Sequence, residues 1–422
     1  MTTLFTLSHR FQRIPRNIYR YLFVMAALGF TIDGGIYSVL LNLYVLRLGY
    51  GPEFIGTLNS VGLFVFAALS LPLGAVRRFS SHQMLIIGLS CIFTGMMGLP
   101  LGQWLPEAFH SGWLVATRIL THIGLAFFFV HTAPFVMSIT KGEWHSRALS
   151  LQSATLALAG FMGGLVGGVL PGLLGDWLHL PTSDPTPYQY PLLLAGIFLA
   201  PALLILTRLT AVSTPEPPAA EADEMLLPQP SKQRVLPFTV TQVVLLIIAV
   251  RILQITVVGV INTFANVYLD DGLKVSTDLI GVLTAVSRLV GVPIALSVPY
   301  LVSRWGNYRL VIWTTLFTVA LMIPMAFIPH WAVAGAATIG IGSISSLRYL
   351  SFLVFSLSLV PEEKRALISG AGEMSIGLGF AFVSFVGGYL ITWYGYPALF
   401  LFGAVLTLAG TVLFWLFFRK VK

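Results

Sequence analysis

The sequence predicts an all-α integral membrane protein of twelve transmembrane helices, built as two six-helix bundles related by a parallel pseudo-two-fold. Three observations carry this reading. The 422 residues are 56% hydrophobic and only 9% charged, with a mean hydropathy of +0.87, whereas a soluble domain carries roughly a quarter charged residues. The apolar residues gather into twelve runs of the length a bilayer requires, about 20 residues each. The two halves of the chain also repeat one another.

The runs lie near 19–47, 53–76, 83–104, 112–139, 147–175, 190–208, 238–269, 277–302, 309–328, 331–359, 366–394 and 397–418. Pro72, Pro134, Pro171, Pro293 and Pro324 fall inside them, which a membrane helix tolerates when neighbouring helices satisfy the freed backbone groups. The basic start (Arg10, Arg13, Arg16, Arg20) leads into a run longer than the roughly 7–15 residues of a signal-peptide core, so it reads as an uncleaved first span. The longest polar stretch, 209–237, is rich in Pro and acidic residues and reads as a flexible linker. It divides the chain into a first bundle at 1–208 and a second at 238–422.

Orientation follows from Lys and Arg. With the N-terminus in the cytoplasm, eighteen of the 24 basic residues fall on that side, and only Arg47 and Lys274 fall on the other. The positive-inside rule then places both termini in the cytoplasm of a multi-pass protein of the cell membrane, plasma or inner. The same distribution explains the net charge of +8 without nucleic acid as a partner, because the charges sit in short loops beside apolar runs. Cys91 is the single cysteine, which excludes an intrachain disulfide and a cysteine-based metal site. No cofactor or metal is expected, and the chain reads as a monomer in the lipid bilayer. No nucleophile–base cluster suggests an enzyme. The P-loop pattern G-x-x-x-x-G-K-[ST] is missing, so ATP is not the driving force within this chain.

The internal repeat rests on several matches in order. Ser146-Arg147-Ala148-Leu149 precedes the fifth run as Lys364-Arg365-Ala366-Leu367 precedes the eleventh. Gly167-Gly168 parallels Gly387-Gly388, Asn42-Leu43-Tyr44 parallels Asn266-Val267-Tyr268, and Ile55-Gly56 parallels Ile280-Gly281. All offsets lie between 218 and 225 residues. Both halves start on the same side, so the repeat axis lies along the membrane normal.

Six plus six spans, cytoplasmic termini and a long central loop resemble the major facilitator superfamily. The loop after the second span in that family reads G-x-L-x-D-R-x-G-R-K. Leu301-Val302-Ser303-Arg304-Trp305-Gly306 keeps its Leu, Arg and Gly, with Ser303 in place of Asp; Gly74-Ala75-Val76-Arg77-Arg78-Phe79 keeps the Gly and the basic character. The resemblance implies that Arg77, Arg78, Arg304, Arg147 and Arg365 gate the cytoplasmic side. It also implies that spans one, four, seven and ten line a central cavity. The fifth span carries Gly160, Gly163, Gly164, Gly167, Gly168, Pro171 and Gly172, similar to a signature of exporters in the family; small residues at this spacing also serve close helix packing in any membrane protein.

Charged groups inside spans cost about 2.5–3.5 kcal/mol each at a helix centre and therefore face a cavity or a partner. They are Asp33, Arg118, Arg251, Arg288, Arg348 and Glu373, and four of these fall one each on spans one, four, seven and ten. Helical periodicity puts Asp33 and Tyr37 on one face, Arg118 and His122 one turn apart, and Arg251, Gln254 and Asn262 on a shared face. The substrate-binding candidates are thus Tyr37, Arg118, His122, Arg251, Gln254, Asn262, Arg288 and Arg348. Competing readings are a snorkelling Arg118, a packing His122 and an Arg348–Glu373 ion pair. Asp33, with Glu373 in reserve, is the candidate proton carrier, since the surroundings of a carboxyl decide whether it is charged. Excess arginine points to an anionic group on a small-molecule substrate. The expected function is secondary active transport by alternating access, proton-coupled, with export slightly ahead of uptake. The alternatives are an ion-independent uniporter or uptake permease and a non-transporting sensor.

Overall fold

Helices long and apolar enough to cross a membrane number twelve among the described residues. The structure is a computed structural model and describes residues 16–75, 79–140, 144–209, 240–360 and 365–419. The expected linker falls almost wholly outside these residues, as do Arg77 and Arg78. The first span is two helices, α1 (Arg16–Thr31) and α2 (Ile36–Arg47). Five single helices follow: α3 (Pro52–Ala75), α4 (Ser81–Leu101), α5 (Glu107–Ile139), α6 (Trp144–Leu178) and α7 (Thr186–Thr207). The seventh span is again divided, into α8 (Val240–Gln254) and α9 (Thr256–Val267), and it closes in a π-turn at Tyr268–Gly272. The rest are α10 (Thr277–Trp305), α11 (Asn307–Phe327), α12 (Trp331–Leu357), α13 (Arg365–Tyr394) and α14 (Tyr396–Phe418). Trp104, Trp177, Trp393 and Tyr394 stand exposed at span ends on one face, where amphipathic rings prefer the headgroup level. The described chain ends, Arg16 and Arg419, lie on the opposite face, called here the terminal face.

The first span breaks where its sequence cannot continue a helix. Gly34 has φ of +80°, a conformation that costs a residue with a Cβ but not glycine. The Ser38 hydroxyl bridges the break, accepting from Gly34 N at 3.0 Å and donating to the Ile32 carbonyl. Interrupted helices near mid-membrane are tolerated where they border a cavity, and this break carries Asp33.

The repeated glycines form the seams between the two halves. In the seam of α6 with α10, a Cβ added to Gly168 would stand 2.8 Å from Gly281 Cα. In the seam of α13 with α3, a Cβ on Gly388 would stand 2.6 Å from the Pro52 carbonyl oxygen, and one on Gly56 would stand 3.1 Å from Gly388 Cα. Gly168 corresponds to Gly388 and Gly281 to Gly56, so the same contact is made twice, as a two-fold relation requires. Asparagines do the same at the centre. Asn42 donates to the Thr263 carbonyl at 2.8 Å, and Asn266 donates to the Ser38 carbonyl at 3.0 Å. Without a hydrophobic force between helices in lipid, such close approaches and hydrogen bonds hold the spans together.

Gly160, Gly163, Gly164 and Gly167 of α6 press on the broken first span: a Cβ on Gly163 would collide with the Phe30 carbonyl, and one on Gly160 with that of Asp33. Packing thus accounts for Gly160, Gly163, Gly164, Gly167 and Gly168 in the glycine run on which the exporter inclination rests. Overpacking a filled site costs about 1–3 kcal/mol or more. Gly163→Val should therefore lower the melting temperature of the purified protein by several degrees, whereas Gly172→Val, where a Cβ meets nothing within 4 Å, should leave it unchanged.

Candidate functional site

A cavity of about 370 Å³ lies between the halves, walled by the break between α1 and α2 and by α2, α3, α5, α9, α10 and α12. Asp33 enters it from the break in the first span and Arg288 from the middle of α10. Arg288 Nη2 lies 2.8 Å from Asp33 Oδ1, an ion pair that joins the two halves. Gly34 makes room for it, since a Cβ there would stand 2.8–2.9 Å from Cγ and Cδ of Arg288. Both side chains keep about a third of their surface accessible, 39% for Arg288 and 33% for Asp33, so the pair borders the cavity and is not sealed in packing.

Arg118 supplies the cavity's other charge. Its Nη2 donates to Asn59 Oδ1 at 2.7 Å; Asn59 in turn donates to Asn42 Oδ1 at 3.0 Å. Its buried Nε has no partner within the protein. Helix α5 starts at Glu107, earlier than the apolar run suggests, which takes Arg118 well inside the span and removes the snorkelling reading. Tyr37 and Asn262 also line the cavity, the Tyr37 hydroxyl donating to the Met96 carbonyl.

Four expected site residues lie elsewhere. Arg251, Gln254, Arg348 and Glu373 form a second polar cluster nearer the terminal face. Gln254 and Arg251 precede Asn262 by eight and eleven residues, about 12–16 Å along a helix axis at 1.5 Å per residue. Ile255, between α8 and α9, keeps αR geometry, donating to the Arg251 carbonyl and accepting from Gly259 N at 3.0 Å each, so depth along the axis is what separates Arg251 and Gln254 from Asn262. Arg251 sits 4.5 Å over the Phe352 ring and 5.5 Å over that of Tyr349. Arg348 donates to the Gln254 carbonyl at 2.9 Å, while Glu373 accepts from the Tyr349 hydroxyl at 2.6 Å. The two therefore do not make the ion pair weighed for them. His122 is buried beneath Arg118, with Nδ1 2.9 Å from the Arg118 carbonyl oxygen, so it packs and does not line the cavity. Of the expected gating arginines, Arg304 reaches only Tyr300 of its own helix, at 3.2 Å. Arg365 begins α13 and Arg147 is the fourth residue of α6, but their side chains lie outside the described residues.

On the face opposite the chain ends, the halves are latched by residues the sequence does not single out as a pair. Arg47 grips Asp270 with both amino groups, Nη1 at 2.6 Å and Nη2 at 2.7 Å, a bidentate geometry that suits guanidinium to carboxylate. Its Nε donates to the Thr182 carbonyl at 2.8 Å, and Tyr188 joins it to Thr277. A second tie runs from Thr392 to Glu53 at 2.7 Å. Asp270 sits in the π-turn ending the seventh span, beyond the reach of helical periodicity.

The model of the Major Facilitator Superfamily matches residues 22–372. The chain belongs to this superfamily. Uncharacterised MFS-type transporters of Burkholderia mallei (strain SAVP1) and Burkholderia pseudomallei (strain K96243) are each 33% identical to it over 110 residues, 26% of this chain. The match spans about a quarter (26%) of those relatives' own length. The crystal structure of a D-xylose–proton symporter superposes with a TM-score of 0.73 at 15% identity, covering 95% of this chain and 97% of that one. The nucleoside transporter NupG does so with a TM-score of 0.66 at 14% identity, covering 97% and 100%. These likenesses show the MFS fold, a multi-pass membrane architecture, and leave the chemistry to the residues of this cavity.

The latch gives a direct prediction. With Cys91→Ser and Ser345→Cys as background, a membrane-impermeant thiol reagent applied from the face of Asp270 should label Ser345→Cys faster when Asp270→Asn is added. Equal labelling in sealed vesicles would show that Arg47–Asp270 does not hold that face shut.

Proposed function

We propose that this member of the superfamily is a secondary active transporter that carries a small organic anion together with a proton, by rocking of the two halves around the central cavity. The observation that carries the reading is the Arg288–Asp33 pair, which spans the halves within the cavity wall. While Asp33 is charged, Arg288 is engaged and the cavity offers one uncommitted cation, Arg118. A proton on Asp33 releases Arg288, and two guanidinium groups then face the cavity with no carboxylate against them. Proton and anion therefore favour each other's binding, which is the linkage that symport needs. Lower pH strengthens anion binding, and one proton entering with one monoanion leaves the net charge of the cavity unchanged.

Arginine suits the anion role because it keeps its charge at any physiological pH and binds carboxylate in a planar fork. Glu373, tied to Tyr349 away from the cavity, takes no part in coupling on this reading. Alternation requires the Arg47–Asp270 latch to open as the terminal face closes, with the glycine seams as the surfaces that slide. The Lys and Arg bias makes the terminal face the cytoplasmic one, in the plasma or inner membrane.

The test is transport in proteoliposomes with an imposed pH gradient. Asp33→Asn should abolish uphill, gradient-driven anion uptake while anion counterflow persists, and Glu373→Gln should keep both. Gradient-driven uptake that survives Asp33→Asn would favour an ion-independent or differently coupled carrier.

A further inference from the structure

The walls of the cavity say more than its charge. Resting on the anion reading above, we infer that the substrate is a small hydrophilic carboxylate carrying several hydroxyl groups, and that the cavity excludes aromatic solutes, lipophilic cations and unsubstituted fatty acids.

Size comes first. At about 370 Å³ the cavity stands near the lower end of ligand pockets, which span about 300–1,000 Å³. Next comes what is missing. Among the described residues Tyr37 is the one aromatic on the wall, and its hydroxyl is committed to the Met96 carbonyl. A flat ring has no stacking platform here. A lipophilic cation has neither an aromatic face to sit on nor a free carboxylate, since Asp33 is held by Arg288.

What is present is hydrogen-bonding capacity on several sides. Asn262 lines the cavity and is exposed, with no side-chain hydrogen bond among the described residues. Arg118 keeps its Nε unpartnered and buried. Ser345 gives its own proton to the Gly342 carbonyl at 2.6 Å, which leaves its oxygen able to accept from a ligand hydroxyl. These groups come from α9, α5 and α12, so they surround the space and are not gathered at one end. A carboxylate on the arginines fills the charged side, and hydroxyl groups along the ligand, each both donor and acceptor, answer an amide and a hydroxyl on the remaining walls. A plain alkyl chain would leave them dehydrated and unpaired, which costs about 1–3 kcal/mol for each buried group. A neutral polyol would answer them but leave the arginines without a counter-charge.

The experiment uses the full chain and four probes of similar length or opposite character: D-gluconate, hexanoate, sorbitol and tetraphenylphosphonium. Binding is read by thermal stabilisation of the purified protein, and uptake by pH-driven accumulation in proteoliposomes. Gluconate should bind about 100-fold or more tightly than hexanoate or sorbitol, in keeping with sites built to pair ligand hydroxyls. Tetraphenylphosphonium should not bind. Asn262→Leu should shrink the preference for gluconate over hexanoate by at least about 10-fold, the factor that 1.4 kcal/mol represents. Hexanoate, sorbitol or tetraphenylphosphonium binding as well as gluconate, or none of the four binding, would overturn the inference. Gluconate that binds without being taken up supports this substrate class and overturns the transport reading. Hexanoate accumulated as well as gluconate, beyond the level in protein-free liposomes, does the reverse.

Discussion

A charge in the middle of a membrane-spanning helix must have a partner or a cavity, and the Asp33–Arg288 pair has both. The rest of the site is arranged around that requirement. The first span breaks at Gly34 so that Asp33 can leave the helical path, and the missing side chain of Gly34 lets Arg288 reach across from the other half. An ion pair between two bodies that move relative to one another is also a switch, because proton or anion can replace one partner with the other. The pairing that makes Asp33 tolerable in the membrane is thus the feature that suits it to coupling.

The pair stands out against a symmetric frame. Gly168 on Gly281 is repeated by Gly388 on Gly56, and Asn42 on the Thr263 carbonyl by Asn266 on the Ser38 carbonyl. At the offset of the repeat, however, Asp33 corresponds to Val257 or Val258, and Arg288 to Leu63 or Phe64. Duplication supplied the seams and the central hydrogen bonds, which need equivalent contacts on both sides of the axis. The charges belong to one copy only. Rocking uses the symmetric contacts, while selectivity and coupling use the asymmetric ones.

Much of the fold was legible because bilayer thickness and charge bias constrain a sequence strongly. The twelve runs correspond to the twelve spans within several residues, Gly168 and Gly388 meet Gly281 and Gly56 between the halves, and the matched asparagines reach backbone carbonyls of the opposite half. The site was legible only in part. Asp33, Tyr37, Arg118, Asn262 and Arg288 do meet, since polar groups within spans have few places to go. Arg251, Gln254 and Arg348 were drawn into the same site because they sit on spans expected to line the cavity, and Glu373 because it is a charge inside a span. Depth misled as well: residues on cavity-lining spans still differ by two or three turns along the axis. The Arg47–Asp270 latch could not be read at all, because Asp270 lies in a π-turn and its partner is more than two hundred residues away in sequence. Asn59 and Asn42 carried a signal that periodicity alone does not weigh, amides in otherwise apolar helices.

The central claim, that anion binding and protonation of Asp33 are one linked event, is tested most directly by counting protons. Purified protein in weakly buffered detergent, with a pH indicator, should take up about one proton for each gluconate bound when it starts with the pair intact, and Asp33→Asn should take up none. Anion binding without proton uptake, or uptake unchanged in Asp33→Asn, would contradict the account.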